Sequence, residues 1–487
     1  MKDKRRIILI ANRLPVTIKR KGETLQVQAS SGGLVTALRP LLHDSAGVWV
    51  GWPGMDESPE VEASLAEYSQ RTNFALIPVF MTEEERARFY FGFSNEVLWP
   101  LFHDLQSRCN FDPTYWETYE ALNQRFAAKA AEFVQAGDLI WVHDYHLMSA
   151  ATCLRELGVK EHLIYFHHIP FPSPDIFEKL PWRKEILTAL LDFDVVGFQT
   201  LRDRRNFAAC LRKFVKEAVI ETQGNYLLIR EPGRTTLAGA FPISIDFGEF
   251  SQAASEESVG KRAHAIEADV APARIMLGVD RLDYTKGIPE RLAAFRYLLE
   301  HYPEVRRKVV MVQVVVPSRE DIPKYVELKS QIERMVSQIN GQFGDPGWVP
   351  VHYLHRSLER SELLAYYRSA AVALVTPLKD GMNLVSKEYC ATRIENDGVL
   401  VLSEFAGSAA QLQQGALLVN PYHTAEVARI LQLALNMPRQ EQRTRMRQLR
   451  AKIKREDIFV WRDAFYRSVE MIDAFPGEEP ADAEAME

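Results

Sequence analysis

Residues 376–393, TPLKDGMNLVSKEYCATR, hold the densest set of groups able to do chemistry in this chain. The apolar run Ala371 to Val375 predicts a strand that feeds into them. Asp380, Gly381 and Asn383 then form a tight loop, and Lys387 and Glu388 follow on a helix. A strand end, a Gly loop and a helix N-terminus together make an anion site, because free backbone N–H groups and the positive end of the helix dipole face one way. Asp380 and Glu388 place two carboxylates beside it. That suits a ligand with phosphates at one end and hydroxyls at the other, of nucleotide-sugar type. An N-capping Asp and a solvated helix Glu account for the same spacing equally well.

Other strand ends carry related chemistry. Ser30-Ser31-Gly32-Gly33 opens an amphipathic pattern from Leu34 to Leu42, and a Gly pair at a helix start lets backbone approach a phosphate closely. A flexible turn has the same signature, and the pattern is neither G-x-G-x-x-G nor a Walker A. In GVDRLDYTKGIPERL, Arg281 and Lys286 follow a predicted strand and precede a helix with Pro289 in its first turn. A planar fork and a compact point charge at a strand's carboxyl edge suit a diphosphate; two solvated cations are the plainer reading. Arg319 again follows a strand end. His143-Asp144-Tyr145-His146 and His167-His168 lack the i, i+4 spacing and Cys support of a metal site, so polar contacts to sugar hydroxyls are expected and no metal is. Tyr90, Phe91, Phe93, Trp99 and Phe102 gather in FYFGFSNEVLWPLFH, as core or as the lining of a sugar-phosphate site.

These clusters need strands to position them. Short apolar runs predict strands at Arg6–Ala11, Ala75–Val79, Asp138–His143, His162–His167, Val195–Phe198, Arg274–Val279, Val309–Val315, Val349–Tyr353, Ala371–Thr376 and Val399–Ser403. Helical patterns such as Glu290–Tyr302 and Ser361–Ala370 lie between them. The alternation implies an α/β chain of doubly wound sheets. At 487 residues, two such domains around a cleft are expected. The stretch 242–272 is polar, Ala/Ser-rich and weakly patterned, and reads as the boundary. The expected division is 1–245, 246–455, a helix in 456–475 that returns to the first domain, and an acidic disordered tail at 476–487. The helical patterns at Thr424–Leu435 and Gln440–Lys454 are read as possible braces to the first domain as well. A net charge of -6 argues against a nucleic-acid-binding body, so an anionic ligand needs local Arg and Lys clusters. Four scattered cysteines and no apolar run of about 18 residues point to a reduced, cytoplasmic protein with no membrane segment.

With the motifs in order, the chain resembles the trehalose-6-phosphate synthase family, retaining glucosyltransferases of GT-B fold, from Ile7 to about Val469. The resemblance rests on ANRLP, SSGGLVTAL, GWPG, FSNEVLWPLFH, WVHDYHLM, HHIPFPSP, GFQT, DRLDYTKGIPERL, VPSRED and TPLKDGMNLVSKEY. It implies two Rossmann-like domains and transfer of glucose from UDP-glucose to glucose-6-phosphate, without a metal or cofactor. It assigns the acceptor to Arg13, Trp52, Tyr90, Trp99, Asp144, Gln199 and Arg319. It assigns the donor to Gly32, Gly33, His168, Arg281, Lys286, Leu358, Asp380, Asn383, Leu384, Val385, Ser386, Lys387 and Glu388. Within these, Arg281, Lys286, Asp380, His168 and Asp144 are the expected catalytic group. The expected partners are the small-molecule substrates UDP-glucose and glucose-6-phosphate and a second copy of this chain in a homo-oligomer, with no nucleic acid and no membrane. A different acceptor such as glycerol-3-phosphate, a GDP or ADP donor, or a silent sugar-phosphate sensor are the alternatives. Asp104 and His167 depart from the commoner Tyr and Leu, and neither replaces a matched ligand. The short run after the synthase-like region leaves the phosphatase domain of some members unexpected here.

Overall fold

The computed structural model describes residues 5–475 other than 23, 31–34, 36–37, 39–41, 43–44 and 320–321. Gly32, Gly33, most of the helix expected from Leu34 to Leu42, and the acidic tail lie outside the described residues. The chain divides into two compact units, Met1–Pro242 with Arg462–Glu487, and Ile243–Trp461.

Unit 1 is built on β1 (Ile7–Arg13), a hairpin of β2 (Val16–Lys21) and β3 (Thr24–Ala29), then β4 (Val48–Trp52), β5 (Ala75–Pro78), β6 (Leu139–His143), β7 (His162–Phe166), β8 (Val195–Phe198), β9 (Val219–Gln223), β10 (Tyr226–Glu231) and β11 (Arg234–Ala240). Outside the hairpin these make one sheet in the order β5-β4-β1-β6-β7-β8-β11-β10-β9. It is parallel from β5 to β11 and antiparallel at the β11-β10-β9 edge. β4 and β6 are buried along their whole length, as near-continuous apolar strands must be when both faces are covered.

Unit 2 is a purely parallel sheet, β14-β13-β12-β15-β16-β17. Its strands are β12 (Arg274–Arg281), β13 (Val309–Val316), β14 (Val351–Leu354), β15 (Ala370–Val375), β16 (Val399–Ser403) and β17 (Leu417–Val419). Both sheets are doubly wound and Rossmann-like, as the alternating pattern predicts. The predicted strands recur within a few residues. The β2–β3 hairpin, β4, the β9–β11 meander and β17 have no counterpart among the predictions.

Two expectations are corrected. The weakly patterned boundary stretch contains two helices of unit 2, Phe247–Ala254 and Glu257–Val270. Asp246 starts the first by accepting from the Glu249 N–H at 2.9 Å. The buried faces include Phe247, Phe250, Ala254, Val259, Ala263 and Ile266, and the alanines blur the hydrophobic period. The helices Thr424–Asn436 and Arg439–Arg455 remain in unit 2; of the last three, only Ile458–Ile472 carries residues of unit 1.

Candidate active site

Unit 2 concentrates charge at the carboxyl ends of β12 and β15, neighbouring strands at which its strand order reverses. Ligands bind open α/β sheets at such points, where the loops leaving two strands part. After β12 the chain makes one 3-10 turn, Tyr284–Lys286, because Asp283 Oδ1 accepts from the Thr285 N–H at 2.9 Å and its hydroxyl at 2.8 Å. The turn ends at Gly287 in the left-handed region (φ 64°), where a side chain would collide with the Thr376 carbonyl. Glycine therefore lets the loop after β12 lie against the loop after β15.

That approach brings the Lys286 ammonium 2.6 Å from Asp380 Oδ2. Asn383, at φ 80°, donates from Nδ2 to the same oxygen at 3.2 Å. It also caps the helix Leu384–Thr392 by accepting from the Ser386 N–H. A cation, a carboxylate and a helix N-terminus thus share one edge. Arg281, the last residue of β12, is exposed and makes no ion pair among the described residues. Arg319, at φ 55°, donates to the Tyr325 hydroxyl at 2.6 Å and lies 3.5 Å from Asp283. Burial opposes ionisation of Asp283, but Arg319, Lys286 and the Thr285 bonds outweigh it and hold the carboxyl below its usual range. Glu388 accepts from the Tyr367 hydroxyl at 2.9 Å, and burial pushes its carboxyl up despite that bond.

In unit 1 the order reverses between β1 and β6. Arg13, ending β1, lies over the Trp52 ring at 4.7 Å, a cation–π contact at the end of β4. Asp144 follows β6 at φ 73°, and its Oδ1 accepts from the His168 N–H at 3.3 Å. Gln199, after β8, donates to the His168 carbonyl at 3.4 Å. His143 Nδ1 stands 2.9 Å from His168 Nε2. Burial drives His143 well below the ordinary imidazole range and His168 down to about 3, so both rings are neutral. The aromatic motif forms a π-helix, Ala87–Leu98, which continues into the turn Trp99–Phe102. Tyr90 stacks parallel on His146 at 5.9 Å, His146 lies 4.0 Å from Tyr145, and Tyr145 lies 5.9 Å from Trp99. Phe93 and Phe102 are core.

Residues 5–471 match the sequence profile of glycosyltransferase family 20. The chain belongs to that family. It is 41% identical to the trehalose-6-phosphate synthase of Mycolicibacterium vanbaalenii, over 98% of this chain and 96% of the relative. It is also 41% identical to the α,α-trehalose-phosphate synthase (UDP-forming) of Schizosaccharomyces pombe, over 98% and 93%. Among solved structures, the Burkholderia xenovorans synthase in complex with glucose-6-phosphate overlays with a TM-score of 0.86 at 36% identity, covering 96% of this chain and all of that one. An Escherichia coli structure bound with UDP-2-fluoro glucose overlays at 0.85 and 34% identity, covering 96% and 99%.

In this family 20 chain the expected site residues fall into groups that the fold assembles unevenly. Lys286, Asp380 and Asn383 meet directly, with Leu384 and Val385 opening the helix that Asn383 caps. Asp144, His168 and Gln199 meet through His168. Leu358 is half-buried in the loop after β14, at the same sheet edge as Arg281. Ser386 and Lys387 turn inward: the Ser386 hydroxyl donates to the Asn383 carbonyl at 2.8 Å, and the Lys387 amine to the Ile243 carbonyl at 2.7 Å. Sequence reasoning missed Arg291, which is 1% exposed. Its guanidinium donates to Asp280, Gln313 and Thr376 at 2.5, 2.9 and 2.9 Å and to the Lys286 carbonyl at 3.4 Å. A signal existed: Ile288, Arg291, Leu292 and Phe295 form one i, i+3, i+4, i+7 stripe, and a charge within it needs partners.

Proposed function

We propose that this chain transfers glucose from UDP-glucose to glucose-6-phosphate with retention, giving α,α-trehalose 6-phosphate and UDP. The observation that carries the reading is the meeting of Lys286, Asp380 and Asn383 at the N-terminus of the helix Leu384–Thr392. Arg281, Lys286 and the first amides of that helix take up the charge that develops on the departing diphosphate. Asp380 accepts hydrogen bonds from donor-sugar hydroxyls, and Glu388 from the ribose. Arg13, Trp52, Tyr90, Trp99, Asp144, Gln199 and Arg319 hold the acceptor, which reduces the entropic cost of the step. Bond making and breaking occur on one face of the sugar. The acceptor oxygen bonds to the anomeric carbon as the carbon–phosphate-oxygen bond breaks, and the leaving oxygen takes the acceptor's proton. Asp380 already accepts from Lys286 and Asn383, which suits an orienting carboxylate more than a nucleophile.

The test is a coupled UDP-release assay with UDP-, GDP- and ADP-glucose against glucose-6-phosphate and glycerol-3-phosphate. Turnover is expected with the UDP-glucose and glucose-6-phosphate pair, and Lys286→Ala should lower kcat by roughly 10²–10³. Absence of UDP release with that pair would refute the proposal. A glucosylated Asp380 or Asp144, trapped on the time scale of turnover and seen by mass spectrometry, would refute the one-face scheme while leaving the substrates intact.

A further inference from the structure

The end of β6 and the loop after β7 meet through two imidazoles. At 2.9 Å, one of His143 Nδ1 and His168 Nε2 carries a proton and the other a lone pair. Both rings are neutral, so each holds one proton and the pair has two arrangements. In the first, His143 donates from Nδ1, and His168 keeps its own proton on Nδ1. In the second, His168 donates from Nε2, and the His143 proton moves to its Nε2.

The surroundings separate the two. His143 is fully buried, lying over Trp141 at 5.2 Å and edge-on to Phe166 at 6.3 Å. Its Nε2 has no hydrogen-bond partner among the described residues. A buried N–H with no acceptor is rarer and more costly than a buried lone pair with no donor. The second arrangement puts an N–H there; the first puts a lone pair. The backbone of His168 is meanwhile anchored by Asp144 and Gln199, so its ring cannot drift from His143 without breaking those bonds.

We propose that His143 is a positioning residue that fixes His168 as the Nδ1–H tautomer, so that His168 meets a sugar oxygen as a hydrogen-bond donor. This deepens the transferase reading and rests on it for the sugar. The tautomer itself does not depend on that reading. It explains why a second histidine stands one residue before Asp144: it selects which edge of His168 carries the proton, while Asp144 and Gln199 set where the ring sits.

The experiment uses the full chain labelled with ¹⁵N-histidine, without ligand, and long-range ¹H–¹⁵N correlation spectra. The chain has 12 histidines, and His143→Asn and His168→Gln assign the two signals. Expected is a protonated, pyrrole-type Nδ1 and a pyridine-type Nε2 on both rings; a protonated Nε2 on His168 overturns the proposal. His143→Phe, which keeps an aromatic ring over Trp141, should release His168 from the Nδ1–H form and lower kcat/KM about tenfold, as for one lost hydrogen bond. His143→Asn keeps an N–H near the position of Nδ1 and should restore the His168 signature and part of the rate. Full kcat/KM in a folded His143→Phe protein with a shifted tautomer would overturn the positioning role. If either variant misfolds, the spectrum of the parent still decides the tautomer. A parent that releases no UDP refutes the transferase reading alone.

Discussion

Lys387 stands beside Glu388 in the sequence but meets a different partner. It is 1% exposed, with its amine on the Ile243 carbonyl, and burial lowers it from the ordinary 10.5 to about 7. Between those values the unfolded chain holds a proton that the folded one does not. Stability therefore rises as pH goes from about 7 to 10.5, and the cost of the buried charge is fully present below pH 7. Denaturant midpoints across that window should climb more steeply in the parent than in Lys387→Met; parallel curves would contradict the assignment. At this scale the residue types of the site were legible but their directions were not. Asp380, Asn383 and Lys286 stand out as chemistry after a strand, whereas nothing in SKEY distinguishes an inward Lys from an outward one. That distinction follows from helix phase, which the Asn383 cap sets.

The elements that carry these residues depend on a buried ionic hub. Arg291, on the helix Ile288–His301, ties β12 through Asp280, β13 through Gln313 and the end of β15 through Thr376. Removing one partner of a buried pair leaves the other uncompensated, so Arg291→Met should cost about 3–5 kcal/mol in urea unfolding. Adding Asp280→Leu should recover much of that stability. It should not recover transferase activity, because the bonds to the Lys286 carbonyl and Thr376 stay lost; a double variant with parental kcat would disprove the link. The parallel strands of both sheets were readable because strands buried on two faces are almost continuously apolar. The boundary helices were not, since alanines on their buried faces thin the contrast on which periodicity depends.

Across the whole chain, the last helix rejoins the residues that began it. Phe465 is fully buried in unit 1, stacked on Phe241 at 4.1 Å and tilted on Trp141 at 4.7 Å. It fills the space that Gly197 leaves on β8, where a side chain would strike the Phe465 ring. Trp141 in turn underlies His143. Phe465→Ala should therefore cost about 3–5 kcal/mol and lower the thermal midpoint of the protein. It should also disturb the imidazole pair, visible as broadening of the His143 and His168 signals; an unchanged midpoint would show that the contact is dispensable. The sequence by itself determined the α/β class, the family and the residue types that follow each strand, because those signals are local runs of apolar spacing and short motifs. Only the tertiary structure decided that Lys286 pairs with Asp380, 94 residues away, and His143 with His168, 25 away. Strand neighbours are chosen by sheet order, which no local period encodes, and the protonation of the paired groups follows from burial that exists only once the sheets have formed.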